Sequence, residues 1–244
     1  MSKAQFLADV ANRTIHDLCL RCSATEEIRN YYDIAVIGYG SAVGPAFAGG
    51  LTGRTFIPIS EVANTPARVD QRMKKVPDGA GGLVEQSVRF PVWLDPQASG
   101  GTPMCEAIRQ ATSLVGDWIK QHPTSFPPTI LNITDGESTD GDPSGPGQEL
   151  QRLRTSDGEV LVFNCHVTAQ AIGKIEYPSG PDSLPNDHAR ALFSFSSLIP
   201  PVFRQTATQL GVDIQEGARA FVFNADPVSL AQFFEIGTRP ANLR

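Results

Sequence analysis

GGTPMCEAIRQATSLVGDWIKQHPTSFPPTILNITDGESTDGD, residues 100–142, decides how this chain folds. It reads as a glycine-rich turn, an amphipathic helix, an apolar strand and an acidic turn. Met104, Ile108, Ala111, Leu114, Val115, Trp118 and Ile119 recur at helical spacing. Pro103 suits the first turn, where no backbone donor is needed. Residues 129–134 are short, apolar and β-branched, which predicts a strand. Thr102 and Asp135 each follow an extended segment and sit on a glycine-rich turn, one helix and one strand apart. In an open parallel sheet that spacing brings both turns to one rim, outside the carboxyl ends of the strands. Hydroxyl and carboxylate oxygens suit a small hard cation such as Mg²⁺.

Toward the amino terminus, Phe6, Val10, Thr14 and Leu18, with Leu7 and Ile15, predict a helix over residues 3–22. Residues 33–38 (DIAVIG) are a short apolar run expected to form a buried strand. The glycine-rich loop 38–53 follows. Residues 54–59 and 88–94 read as strands confined to sheet edges by Pro58 and Pro91, and residues 68–75 as a weak helix. Toward the carboxyl terminus, 148–154 reads as a short helix and 160–167 as a strand. A helix over 196–210 is expected, with Pro200 and Pro201 near its start, then a strand over 218–223. The last helix is capped at Asp226 and stopped at Gly237. Residues 173–190 form a proline-rich surface excursion. The alternation of strand and helix predicts an α/β fold, a doubly wound, mostly parallel sheet with helices on both faces. With no linker or internal repeat, residues 1–244 are expected to form a single domain.

A net charge of −6 with no basic stripe argues against nucleic acid as a partner. No apolar run approaches the roughly 18–20 residues that span a bilayer, and Asp9, Arg13 and Asp17 exclude a secretory signal in the first helix. A cytoplasmic protein without membrane attachment is the expectation. Cys19 and Cys22 form a C-x-x-C, but Cys105 and Cys165 stand apart, so a four-ligand zinc site is not expected. Reduced, buried thiols are.

GGTPM (100–104) and ITDGES (133–138) together resemble the second and third loops of a von Willebrand factor type A domain. The resemblance covers nearly the whole chain in element order. It implies a non-catalytic protein-binding module, whose metal-ion-dependent adhesion site holds Mg²⁺ or Mn²⁺ through Thr102 and Asp135. In this family the aspartate often reaches the metal through water, and a partner's Asp or Glu carboxylate completes the shell. Cytoplasmic bacterial members resemble adaptors in signalling or stress systems, alongside protein kinases and phosphatases. The family's first strand and its Asp-x-Ser-x-Ser loop are not in this chain. Asp142-Pro143-Ser144 matches only the first three positions of that loop, Pro146 stands in place of its last serine, and no apolar strand leads into it. Ser194, Ser196 and Ser197 follow no aspartate. Loss of a central strand leaves 33–38 and 129–134 as neighbours with unpaired ladder groups, which favours dimerisation or aggregation. Two expectations stand side by side: Met1 is an internal start of a longer protein, or the chain is a metal-free scaffold.

Competing chemistries are weaker. GYGSAVG (38–44) is similar to a dinucleotide fingerprint with one extra residue, but Pro45, Gly49, Gly50 and Gly53 oppose the helix that must open there. Ser138 lies one residue short of a nucleophile elbow, and His16, His122, His166 and His188 offer no base at recognisable spacing. His166 reads as a satisfied core histidine. Glu137, Asp140 and Asp142 form a solvated acidic loop rather than a calcium loop. Asp140 stands where an EF-hand needs glycine, and Pro146 where it needs glutamate. Thr102 has a bland alternative as the cap of the helix beginning at Pro103, and Asp135 another as a turn residue before Gly136.

Overall fold

The computed structural model describes residues 2–24, 27–77, 82–97, 100–167 and 173–238. They form two compact units, the first Met1–Ile37 with Pro45–Ala98, the second Gly38–Gly44 with Ser99–Arg244. Labelled in chain order, the main elements are α1 (Lys3–Cys22), α2 (Ile59–Asn64), β1 (Arg68–Pro77), β2 (Leu83–Val92), α3 (Met104–Gln121), β3 (Thr129–Thr134), α4 (Ser144–Arg152), β4 (Leu161–His166), β5 (Ile175–Glu176), α5 (Asp187–Ser194), α6 (Pro201–Gln209), β6 (Phe221–Phe223) and α7 (Pro227–Thr238).

In the first unit, Ile15, Leu18 and Cys22 of α1 pack with Leu51, Ile57, Ile59, Val62 and Trp93. One polar residue organises this core. Asn12 is 1% exposed. Its Oδ1 accepts from the Trp93 and Leu94 N–H groups at 2.8 and 3.0 Å, and its Nδ2 donates to the Leu94 carbonyl at 2.9 Å. A side chain on α1 thus satisfies backbone groups of residues 93–94 that their antiparallel bridge to Phe47 leaves unmet. The helix expected over 68–75 is instead β1, paired with β2 through ten antiparallel residue pairs from Arg68–Val92 to Pro77–Leu83. Val69, Gln71 and Met73 alternate along it, and the long-range pairing overrides a weak local helix preference. Residues 33–38 are corrected as well. Asp33–Ile34 pairs antiparallel with Ile57–Pro58, and Ile37–Tyr39 turns back onto Val43–Pro45. Neither segment joins a parallel sheet.

The second unit holds a four-stranded sheet in the order β5-β6-β4-β3. β3, β4 and β6 are parallel, and β5 runs antiparallel to β6. The fold is α/β with a mostly parallel sheet. Successive side chains of a strand point to opposite faces, and the contacts follow that rule. Phe163 meets Phe203 of α6 and Phe233 of α7, while Asn164 bonds to the Leu192 carbonyl of α5. Helices therefore cover both faces of β4. Strand β5 arises within the excursion 173–190, where sequence periodicity gave no strand. Residues 196–200 are not helical, and α6 begins at Pro201. Asp226 caps α7 as expected, accepting from the N–H groups of Val228 and Ser229 at 2.9 and 2.8 Å. The described part of α7 ends at Thr238, one residue past the expected stop at Gly237. A methyl group on Gly237 would stand 2.4 Å from Leu131 Cδ2, so its smallness lets the helix close onto β3. Among the described residues, no helix is long and apolar enough to cross a membrane.

The Asn12 clamp is testable. Asn12→Leu conserves volume but leaves two buried N–H groups and one carbonyl unmet, at about 1–3 kcal/mol each. The urea midpoint of unfolding should fall by the equivalent of about 3 kcal/mol or more; an unchanged midpoint would contradict the clamp.

Candidate functional site

All candidate oxygens lie in the second unit, at the carboxyl end of β3. The loop holding Thr102 and the acidic loop are stitched together along their backbones. The Thr102 N–H donates to Thr139 Oγ1 at 3.0 Å, and the Thr139 N–H returns to the Thr102 carbonyl at 2.9 Å. The first turn of α3 is capped from the same loop. Asp140 Oδ1 accepts from the Cys105 N–H at 3.0 Å and Oδ2 from the Glu106 N–H at 2.8 Å. Helix N-termini leave backbone donors unmet, and an anionic acceptor there also meets the positive end of the helix dipole. The cap is thus neither Thr102 nor the adjacent Pro103, whose side chain makes no capping bond. This corrects the reading of Asp140 as a merely solvated charge. Desolvation opposes its ionised form. The two N–H groups and the Ser138 hydroxyl, 2.9 Å away, outweigh it and hold the carboxyl below the ordinary aspartate range.

Two glycines allow the close approach. A methyl on Gly136 would meet Thr102 Oγ1 at 3.0 Å, and one on Gly101 would meet Thr139 Oγ1 at 2.8 Å. The Thr102 hydroxyl is therefore packed against the backbone that follows Asp135, so the structure brings together the two turns that the spacing placed on one rim. Thr134 shapes the turn between them. Its hydroxyl donates to the Gly136 carbonyl at 2.7 Å and accepts from the Gly136 N–H at 3.2 Å. Thr102 is half-buried and Asp135 exposed. Neither side chain has a hydrogen-bond partner among the described residues, while Thr134, Ser138, Thr139 and Asp140 are all engaged. A hydroxyl and a carboxylate left free at one rim fit a hard divalent cation that keeps most of its water. No group of three or more His, Cys, Asp or Glu residues is placed to hold a metal, among the described residues.

Beneath the rim runs a polar chain across the sheet. Tyr39 Oη lies 2.7 Å from Asn132 Oδ1 and 2.8 Å from the Ile133 carbonyl. Asn132 Nδ2 donates to Asn164 Oδ1 at 2.8 Å, and Asn164 Nδ2 to Ser196 Oγ at 3.0 Å. Desolvation pushes the Tyr39 phenol far above its usual range, with the Asp135 charge acting the same way, so it stays a neutral donor. Beside the rim, a cleft of about 490 Å³ separates the acidic loop from α5, lined by Glu137, Ser138, Asp142, Asp187, His188 and Arg190 among others. Burial lowers the His188 pKa, against the opposing pull of the Glu137 charge.

The other candidates resolve differently. Gly38–Gly44 is the turn of a β-hairpin, and no helix N-terminus opens there for a pyrophosphate. The Ser138 hydroxyl is bonded to Asp140 with Cys105 Sγ at 3.7 Å. His166 is buried on β4, stacked on Phe223 with ring centroids 4.8 Å apart. All four cysteines are buried and free of disulfides. The hydrogen-bonding roles of Thr134, Thr139, Asp140, Asn132 and Tyr39 escaped the sequence reading, because the spacing does not reveal which backbone or side-chain group each one meets.

Asp140→Ala should cost about 1 kcal/mol, the usual worth of an N-cap. Because the native carboxyl titrates below the unfolded value of about 3.9, its contribution is complete above that pH and is lost as pH falls through the native pKa. The stability gap between wild type and variant, read by denaturant unfolding, should close below about pH 4. A gap constant from pH 7 to pH 2.5 would contradict the cap. No protein-family model, curated protein or solved structure matches this chain.

Proposed function

We propose that this chain is a von Willebrand A-like binding module, doubly wound around its parallel sheet, that recognises a partner protein through a divalent cation at the rim. One observation carries the reading: on two loops stitched by hydrogen bonds, Thr102 Oγ1 and the Asp135 carboxylate have no hydrogen-bond partner among the described residues, while Thr134, Ser138, Thr139 and Asp140 are engaged. Thr102 Oγ1 and the Asp135 carboxylate, directly or through water, would hold Mg²⁺ or Mn²⁺. Bound there, the cation would supply a positive centre for an Asp or Glu carboxylate of the partner. With two protein oxygens the site is weak by itself, so affinity for the cation and for the partner are coupled. The adjoining acidic cleft gives the partner's flanking residues a surface to meet. An adaptor role in the cytoplasm, serving a kinase or phosphatase system, belongs to this proposal on the strength of the resemblance.

A metal-independent scaffold is the second reading, favoured by the shortage of acidic ligands at the rim. An enzyme, dinucleotide-dependent at Gly38–Gly44 or hydrolytic at Ser138, finds less support, since the one loop lacks its helix and the Ser138 hydroxyl is committed to Asp140.

Calorimetric titration with Mg²⁺ and Mn²⁺ separates the readings. Saturable binding by the wild type, abolished in Asp135→Ala, is the expected result. Equal heats from both proteins, or none from the wild type at millimolar metal, would retire the cation and leave the scaffold.

A further inference from the structure

The first unit has a groove of its own, about 390 Å³ in volume, within the range of ligand-sized clefts. One wall is the carboxyl half of α1, through His16 and Leu20. The other is the base of the β1–β2 ribbon, through Val69, Arg89 and Pro91, and buried Trp93 lines the groove as well. The ribbon carries the same surface outward. Residues alternate between the faces of a strand, so Val69 and Met73 share one face. The pairing of Val69 with Pro91, Gln71 with Arg89 and Pro77 with Leu83 puts Leu83, Arg89 and Pro91 on that face too. Leu20, Met73 and Leu83 are 58%, 62% and 65% exposed. A two-stranded ribbon buries little by itself. An exposed apolar strip that continues a groove and is edged by polar residues marks a docking surface.

Charge decides the kind of segment that fits. Arg89 is the one charged residue lining the groove, among the described residues. Its polar neighbours on the ribbon face are answered locally: Ser87 Oγ donates to Gln71 Oε1 at 2.9 Å, and Lys75 stands opposite Glu85. The Arg89 guanidinium has neither an ion pair nor a hydrogen bond among the described residues. A net charge of −6 sets copies of this chain against one another, so a second copy is the poorer occupant. We infer that the groove and the ribbon face dock an apolar peptide segment of a partner protein, with Arg89 meeting an Asp or Glu side chain of that segment. This surface needs no cation and stands independently of Thr102 and Asp135.

A dodecapeptide display library panned on the full chain in the presence of EDTA tests it. Enriched peptides should combine large apolar residues with Asp or Glu, and a fluorescein-labelled synthetic copy should bind equally well with and without Mg²⁺. Arg89→Glu should weaken that binding about tenfold, and changing the acidic residues of the peptide to lysine should restore it to this variant. Leu20→Asp and Met73→Asp should weaken it as well. All three positions are exposed, and an unchanged thermal midpoint verifies that each variant keeps its fold. Peptides that bind these variants like the wild type, or no enrichment at all, would overturn the inference. Binding lost in Asp135→Ala would assign the peptide to the rim instead. Self-association of the wild type that Leu20→Asp abolishes would give the groove to a second copy, and would overturn it too.

Discussion

Two loops that are far apart in sequence behave here as one, because the Thr102 N–H donates to the Thr139 hydroxyl, the Thr139 N–H donates to the Thr102 carbonyl, and Asp140 caps the helix that Thr102 introduces. Everything at the rim depends on that stitching. It fixes the start of α3 relative to the end of β3, and it engages most of the polar groups the acidic loop could otherwise turn toward a ligand. The close approach needs glycine at positions 101 and 136, where a methyl group would press on Thr139 and Thr102. The Thr102 hydroxyl and the Asp135 carboxylate stay outside that stitching, and they are the candidate site.

The sheet beneath has an open side. The Leu161 N–H bonds to the Pro128 carbonyl and the Val167 N–H to that of Thr134. Even-numbered residues of β3 therefore face β4, and the backbone groups of Thr129, Leu131 and Ile133 face outward. Tyr39 meets the Ile133 carbonyl there, and no strand pairs with that edge among the described residues. β3 also lacks the charges and prolines that usually protect an edge. The Tyr39–Asn132–Asn164–Ser196 chain runs inward from this edge, joining polar groups on the face that also carries Thr134 and His166. A fully bonded polar chain fixes register more sharply than apolar packing does.

The alternation of apolar strands and helices made the second unit legible in advance. β3, β4, β6, α3 and α7 fall close to where pattern and composition place them. The convergence of residues 102 and 135 on one rim was expected from parallel-sheet topology, but β2 before Thr102 pairs with β1 and not with that sheet, and the loops are joined instead by the Thr102–Thr139 and Asp140 hydrogen bonds. What stayed hidden has a common cause in long-range pairing. β1 has a helix-tolerant sequence and is a strand because β2 lies beside it. Asn12 looks like an ordinary polar helix residue until residues 93–94 arrive to use it. Asp140 looks like a surface charge because its helix begins at the far end of another loop. Gly237 showed its place in the last described turn of α7 but not its packing against the Leu131 side chain. The strand expected at 33–38 failed for the opposite reason, since a short apolar run specifies burial but not its partner.

We propose that Thr102 and Asp135 form one cation-binding rim. Anomalous diffraction from crystals of the full chain grown with Mn²⁺ tests it most directly. A manganese peak is expected at the end of β3, bonded to Thr102 Oγ1 and reaching Asp135 directly or through one water. A structure with no peak at that rim under saturating Mn²⁺, or with manganese bound only elsewhere, would contradict it.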